Sequence, residues 1–444
     1  MPIRDVFATL GRMVRHVMNL PGQLLGIMKW SSMRSSLARA CAALVPLARQ
    51  LPWIGWVAWD ILVAVAIAGI YPRRLSSTFA TYLDAAERLW TGGRVYNPLT
   101  LGDFLYFPIA LLIHVPLIKL DLLWAAAIVL TIDAALFTWA CASLMVALLP
   151  DHKRHLDALS LTGVLLLVNI PAAWFNFKGV QAQVPMTAAM IAACAAIMRG
   201  RWNAASFWLF IAIVIKPLAL VMVLLCAALV REMRWRLIGA VAAMVLLPFV
   251  FLDWGYLVGQ YELMGLKLWH IASTPPQEWP YQADISTMLR ALGVQLPTSA
   301  VLGIRLAAAL GTLALAWRVR RACGTRSFAF AVLLLSGCYI TLFGPRNEFL
   351  SFIVLTPSIT ALALVMIDRD HADYRGWLLI MAATMLGFVW SMSVNAELKP
   401  AIVLAIYAWL THLMAVPRRW REVTQAGDPK RSSEQAVVGA LGGT

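Results

Sequence analysis

Charge is the scarcest commodity in this chain. Only 13% of its 444 residues are Asp, Glu, Lys or Arg, while 61% are hydrophobic and the mean hydropathy is +0.75. A soluble domain is about half apolar and a quarter charged, so an ordinary water-soluble globule is excluded. Cysteines are few: Cys41, Cys141, Cys194, Cys226, Cys323 and Cys338 form no CxxC pair, and most lie in apolar runs. A disulfide scaffold or thiolate metal cluster is excluded with them. The seven histidines are scattered, without an HExxH. No group of carboxylates is placed to hold a metal ion, so neither a metal nor another cofactor is expected. Short alternating apolar segments are also missing, which argues against a membrane β-barrel.

Long apolar runs are what the chain has instead. A run of about 20 such residues crosses a ~30 Å hydrocarbon core. Runs fall at roughly 51–71, 105–120, 122–149, 157–175, 182–198, 203–230, 234–254, 299–318, 327–343, 348–367, 376–394 and 399–416. The expected fold is all-α, a polytopic bundle of about twelve transmembrane helices, with amphipathic helices in the first long break. The run 203–230 is interrupted by Lys216-Pro217 and reads as one kinked span or two half-spans.

The net charge is +15. No basic groove with interleaved aromatics accompanies it, so nucleic acid is not an expected partner. The breaks Arg318–Arg326, Asp368–Arg375 and Pro417–Arg421 are arginine-rich, as cytoplasmic loops are. Both termini are then cytoplasmic, and the long breaks 72–104 and 255–298 exoplasmic. Asp151–His155 and Arg199–Trp202 disagree with a plain twelve-span count, which favours short or re-entrant helices in the middle third.

Three regions result. Residues 1–50 are basic, and Ile3, Val6, Phe7, Leu10, Met13, Val14 and Val17 recur at helical spacing. This predicts an amphipathic helix on the anionic cytoplasmic leaflet, with a solvated docking arm as the alternative. No cleavable signal peptide is read there. Residues 51–416 form the membrane domain, and 417–444 a disordered cytoplasmic tail.

The polar break Ser77–Pro108 concentrates candidate chemistry. Asp84 and Glu87 share a face if 78–90 is helical; the plainer reading pairs them with Arg88 or Arg94 on a solvated surface. Asp103 precedes the next run, as an interfacial cap would. Arg346 and Glu348 sit two residues apart at a membrane boundary, suited to phosphate and sugar hydroxyls or to a simple salt bridge. Lys216 lies inside an apolar run, where a cation is costly and marks function unless it snorkels. Lys178 and Arg73-Arg74 read more simply as flank anchors. Gln183 suits a sugar or a neighbouring helix, while Asp60, beside Trp56 and Trp59, and Asp133 suit pairing inside the bundle. Trp269, His270 and Trp279 offer rings for sugar stacking or for interfacial anchoring.

Taken in order, several pieces resemble the GT-C superfamily of multispanning glycosyltransferases. These are Phe79, Tyr82, Ala85-Ala86, Gly92-Gly93, Tyr96 and Tyr106–Pro108; Gln183; Ile215-Lys216-Pro217; Asp284-Ile285-Ser286 with Arg290; and Phe343–Ser351. Within the superfamily they are similar to glycosyltransferase family 87, the polyprenol-phosphate-mannose-dependent mannosyltransferases and their relatives. The resemblance implies inverting transfer of a sugar from a polyprenyl-phosphate donor to a lipid or glycan acceptor, on the exoplasmic face of what would be a bacterial inner membrane. One carboxylate would act as base and cationic groups would stabilise the departing phosphate. The family places Asp-Phe where this chain has Thr78-Phe79, and threonine is no base near neutral pH. The implied catalytic candidates are therefore Asp84, Glu87 and Glu348. Lys216, Arg346 and Lys178 would face the donor phosphate, and Gln183, Asp284, Tyr82, Trp269 and His270 the substrates. A catalytically altered scaffold and a lipid-linked sugar flippase are the alternatives; the lack of an internal repeat counts against the flippase.

Overall fold

The computed structural model describes residues 45–69, 77–100, 104–149, 157–273, 282–344, 347–369 and 373–424. The expectations placed on 1–44, Arg73-Arg74, Asp103, Asp151–His155, Trp279, Arg346 and the chain from 425 lie outside the described residues. The all-α expectation holds: among the described residues the only strand-like feature is an isolated bridge between Gln282 and Glu348.

The described residues begin with α1 (Val45–Ala68), α2 (Ser77–Trp90), α3 (Pro108–Leu112) and α4 (Leu122–Leu148). The middle is α5 (Ala158–Lys178), α6 (Gln183–Met198), α7 (Trp202–Ile215), α8 (Leu220–Leu229) and α9 (Arg231–Leu246). The last part holds α10 (Trp254–Ser273), α11 (Ile285–Ala291), α12 (Thr298–Ala322), α13 (Thr325–Phe343) and α14 (Thr356–Arg369). It closes with α15 (Tyr374–Gly387), α16 (Met392–Ala415) and α17 (Pro417–Thr424).

Helix α6 is the axis of the bundle. Every one of its residues from Gln183 to Met198 is buried, because α4, α7 and α13 pack around it. Its alanines let those neighbours come close, as small residues do between membrane helices. The crossing of α1 and α5 is tighter still: a Cβ on Gly55 would lie 2.0 Å from the Gly163 carbonyl oxygen, and one on Gly163 would lie 2.3 Å from the Pro52 oxygen. The outer helices carry large apolar side chains into the open, Ile128 and Ile132 on α4 and Leu302, Leu306 and Leu310 on α12. Such faces are matched by lipid, and the chain is an integral membrane protein.

Among the described residues, six helical stretches are long and apolar enough to cross a membrane: Leu122–Leu148, Ala158–Lys178, Arg231–Val250, Thr298–Ala322, Thr325–Phe343 and Val394–Ala415. Other apolar helices, such as Gln183–Met198 and Trp202–Ile215, are shorter. The run 203–230 divides into α7 and α8, because Lys216 is extended (φ −152°, ψ 124°) and Pro217–Ala219 forms a 3-10 turn. The run 105–120 is α3 followed by a 3-10 turn at Val115–Leu117, packed on α2 and near the ends of α7 and α9. At Pro108–Leu117 it is shorter than the stretches long enough to cross a membrane.

Two breaks are more ordered than their hydropathy suggests. The second long break contains α10 and α11, where glycines such as Gly255, Gly259 and Gly265 dilute the helical pattern. The expected tail begins with helix α17, since Trp420 is fully buried against Phe330 and donates to the Ser327 carbonyl at 3.1 Å.

Contacts give the helices a common direction. Arg199 donates to the Ser143 carbonyl at 2.9 Å and Arg236 to Asn203 at 2.6 Å, so the breaks at 199–202 and 230–236 share one end of the bundle. The C-terminus of α12 and the N-terminus of α13, carrying Arg318, Arg320, Arg321 and Arg326, meet α17 with Arg418, Arg419 and Arg421. Helix α6 runs from Gln183 away to Arg199, and α13 runs from its arginines to Phe343. The opposite end therefore gathers α2, Lys216, the head of α6 and the loop after α13.

Candidate functional site

Helix α2 is amphipathic, with Phe79, Tyr82, Ala85, Ala86 and Leu89 buried at helical spacing. The same geometry turns Asp84, Glu87 and Arg88 outward. Asp84 is ion-paired with Arg88 one turn on, and both side chains are about half exposed (53% and 52%). This is the solvated pairing, and neither Asp84 nor Glu87 joins the buried groups. The helix closes at Gly92, whose φ of +78° suits glycine, with the Gly93 amide donating to the Arg88 carbonyl at 2.7 Å.

The inward face of α2 meets the entry to α3. Tyr82 packs edge-on to Phe104 and beside Tyr106, with ring centroids 6.0 and 5.9 Å apart. Its hydroxyl donates to that of Tyr106 at 3.4 Å. Tyr96 fixes this turn by donating to the Tyr106 carbonyl at 2.6 Å. Lys216, only 9% exposed, holds its ammonium 5.6 Å from the centre of the Tyr106 ring, in cation–π range. The break that makes α7 stop there is thus what delivers a cation to the aromatic group.

The charge of Glu348 acts on the same two phenols from far along the sequence. Its loop is clamped from several directions. The Ala283 amide donates to the Asn347 carbonyl at 2.8 Å, and the Asn347 side chain donates to the Ala283 and Thr341 carbonyls at 3.0 and 2.8 Å. Asn176 on α5 donates to the Leu350 carbonyl at 3.2 Å. Burial first, and the facing phenol and the Glu348 charge in addition, push the Tyr82 hydroxyl well above its ordinary value, with Lys216 opposing. Tyr106 is raised too, by burial and by Glu348, against the hydrogen bond from Tyr82. Both phenols stay protonated near neutral pH and serve as donors. Of these four side chains Glu348 is the one carboxylate and Lys216 the one amine, the latter against the Tyr106 ring.

The other expected residues divide. Gln183 is fully buried at the head of α6, and neither its amide oxygen nor its nitrogen has a partner. Near it the chain makes a strained turn, Val180 at φ +45°, after which Gln181 donates to the Thr78 hydroxyl at 3.1 Å. Thr78 is therefore tied to the α5–α6 connection. Asp284 is buried and engaged: one oxygen caps α11 through the Thr287 amide at 2.9 Å, and the other meets Arg305 at 3.3 Å. It caps the helix that follows the segment 282–283 paired with 347–348. Lys178 is exposed at the end of α5, and Trp269 and His270 sit late on α10, Trp269 mostly exposed. Asp60 lies on the outer face of α1 and not inside the bundle, while Asp133 is buried within α4. No three His, Cys, Asp or Glu side chains gather to hold a metal among the described residues.

Sequence reading undervalued Tyr106 and passed over Asn176, Arg305, Asn347 and Lys399. A signal existed for the last: Lys399-Pro400 repeats the Lys-Pro pair of Lys216-Pro217 inside an apolar run.

A family model described as glycosyltransferase family 87 matches residues 104–345. It takes in Tyr106, Gln183, Lys216 and Asp284 and ends just before Glu348. No curated protein and no solved structure matches the chain.

Proposed function

Because this chain belongs to glycosyltransferase family 87, and is a membrane glycosyltransferase, we propose that it works on a polyprenyl-phosphate sugar at the Tyr82–Tyr106–Lys216–Glu348 group. A hexose or pentose passes, with inversion and without a metal, to a hydroxyl of an extracytoplasmic lipid or glycan. The observation that supports this reading is the buried Tyr82–Tyr106 pair with the Lys216 ammonium 5.6 Å from the Tyr106 ring, on which the Glu348 charge also acts.

The chemistry follows from the groups. The Glu348 carboxylate takes the proton of the acceptor hydroxyl as its oxygen attacks the anomeric carbon. The bond from that carbon to the phosphate oxygen breaks, and the polyprenyl phosphate leaves with the electron pair. Lys216 offsets the charge that develops there, and the protonated phenols donate hydrogen bonds. Attack opposite the leaving group inverts the anomeric centre. Gln183, with both amide atoms unpartnered in the protein, suits a sugar hydroxyl. The arginine-rich end reads as cytoplasmic, and this supports an exoplasmic position for the site.

The test is reconstitution in nanodiscs with radiolabelled polyprenyl-phosphate sugars and a lipid extract of the source. Label appearing in a new lipid or glycan supports transfer. Movement of the donor across liposomes without transfer contradicts it in favour of a flippase, and tight partner binding without either contradicts it in favour of a scaffold.

A further inference from the structure

Lys399 lies seven residues into α16 and is 1% exposed. Its ammonium donates to the Phe349 carbonyl at 3.0 Å and lies 5.2 Å from the centre of the Phe352 ring. No carboxylate among the described residues pairs with it. A buried lysine in an apolar helix is expensive, and one whose amino group is held on a backbone carbonyl secures something other than charge balance. That carbonyl belongs to the residue next to Glu348. The other holds on the loop, from Asn347 and Asn176, act at 347 and 350, so Lys399 supplies the hold at 349 between them.

We propose that Lys399 is a positioning residue for Glu348: by tethering the Phe349 carbonyl it fixes the loop that carries the carboxylate. This rests on the reading of Glu348 as the base. A base displaced by about an ångström loses on the order of 10–100-fold in rate, with little change in donor binding.

The full-length protein in nanodiscs is compared as wild type, Lys399→Met, Lys399→Gln, Glu348→Gln and the Lys399→Met/Glu348→Gln double variant. Methionine keeps the volume but removes the donor, whereas glutamine keeps an N–H for the carbonyl without a charge. The tether predicts that Lys399→Met lowers kcat at least tenfold with donor KM within threefold, and that Lys399→Gln regains most of it. The double variant is then no slower than Glu348→Gln alone. Deuterium exchange quickens across 347–352 in Lys399→Met and stays unchanged across 401–415. Full kcat in Lys399→Met, equal loss in Met and Gln, additive losses in the double variant, or loosening along the whole of α16 would each overturn the tether. Wild-type rate in Glu348→Gln would instead remove the underlying reading of the base, which separates the two failures.

Discussion

The Tyr82 hydroxyl donates to the Tyr106 hydroxyl across 3.4 Å, joining α2 to the entry of α3 at the point where Lys216 approaches. Both phenols are buried deeply enough that ionisation is disfavoured in the folded protein. Their folded pKa values lie above the ordinary value near 10, so the stability they contribute is complete below about pH 10 and is lost as pH rises beyond it. Alkaline unfolding followed by intrinsic fluorescence should begin above about pH 10, and Tyr82→Phe or Tyr106→Phe should flatten it. Activity below about pH 9 should show no falling limb caused by these groups.

Lys216 faces the place proposed for the donor phosphate. A hydrogen bond to a charged group contributes about 1.5–3 kcal/mol. Lys216→Met should therefore cost roughly 10–150-fold in kcat/KM for the lipid-phosphate donor, read from initial rates at varied donor concentration. Acceptor KM should stay within about threefold.

Gln183 contributes no hydrogen bond to the fold through its side-chain amide. Replacing an unsatisfied buried amide by an apolar group of similar shape removes a desolvation penalty. Gln183→Leu should melt at or above the wild-type temperature in detergent, while sugar transfer falls about tenfold or more. Loss of stability with unchanged transfer would mark it as a packing residue.

At the α1–α5 crossing the backbones leave no room for a methyl group. Gly163→Ala should destabilise the protein by about 1–3 kcal/mol or more, seen as a lower melting temperature. Gly311→Ala on the open face of α12, where nothing lies within 4 Å of a Cβ, should change little.

Much of this architecture was legible in the sequence. Apolar run length marked the membrane helices, and Lys216-Pro217 announced the break between α7 and α8. The amphipathic spacing from Phe79 to Leu89 marked α2. Choosing between Asp84 and Glu348 was harder, because sequence spacing places Asp84 in the most polar segment but says nothing of which face of α2 is buried. The packing of Tyr82 onto Tyr106 turns Asp84 outward, and the pairing of 282–283 with 347–348 joins segments far apart in the chain. Asp284 is hard to read for a related reason: a cap and a ligand are written with the same residue, and its partner Arg305 is on another helix.

The central claim is that the base is Glu348 and not the carboxylate of the first polar break. Single-turnover sugar transfer by Glu348→Gln and Asp84→Asn, in the same nanodiscs and at equal protein, tests it most directly. Loss of a general base costs about 10²–10⁴-fold, so Glu348→Gln should fall within that range while Asp84→Asn stays within about threefold of wild type. A near-normal rate for Glu348→Gln, with Asp84→Asn inactive, would contradict it.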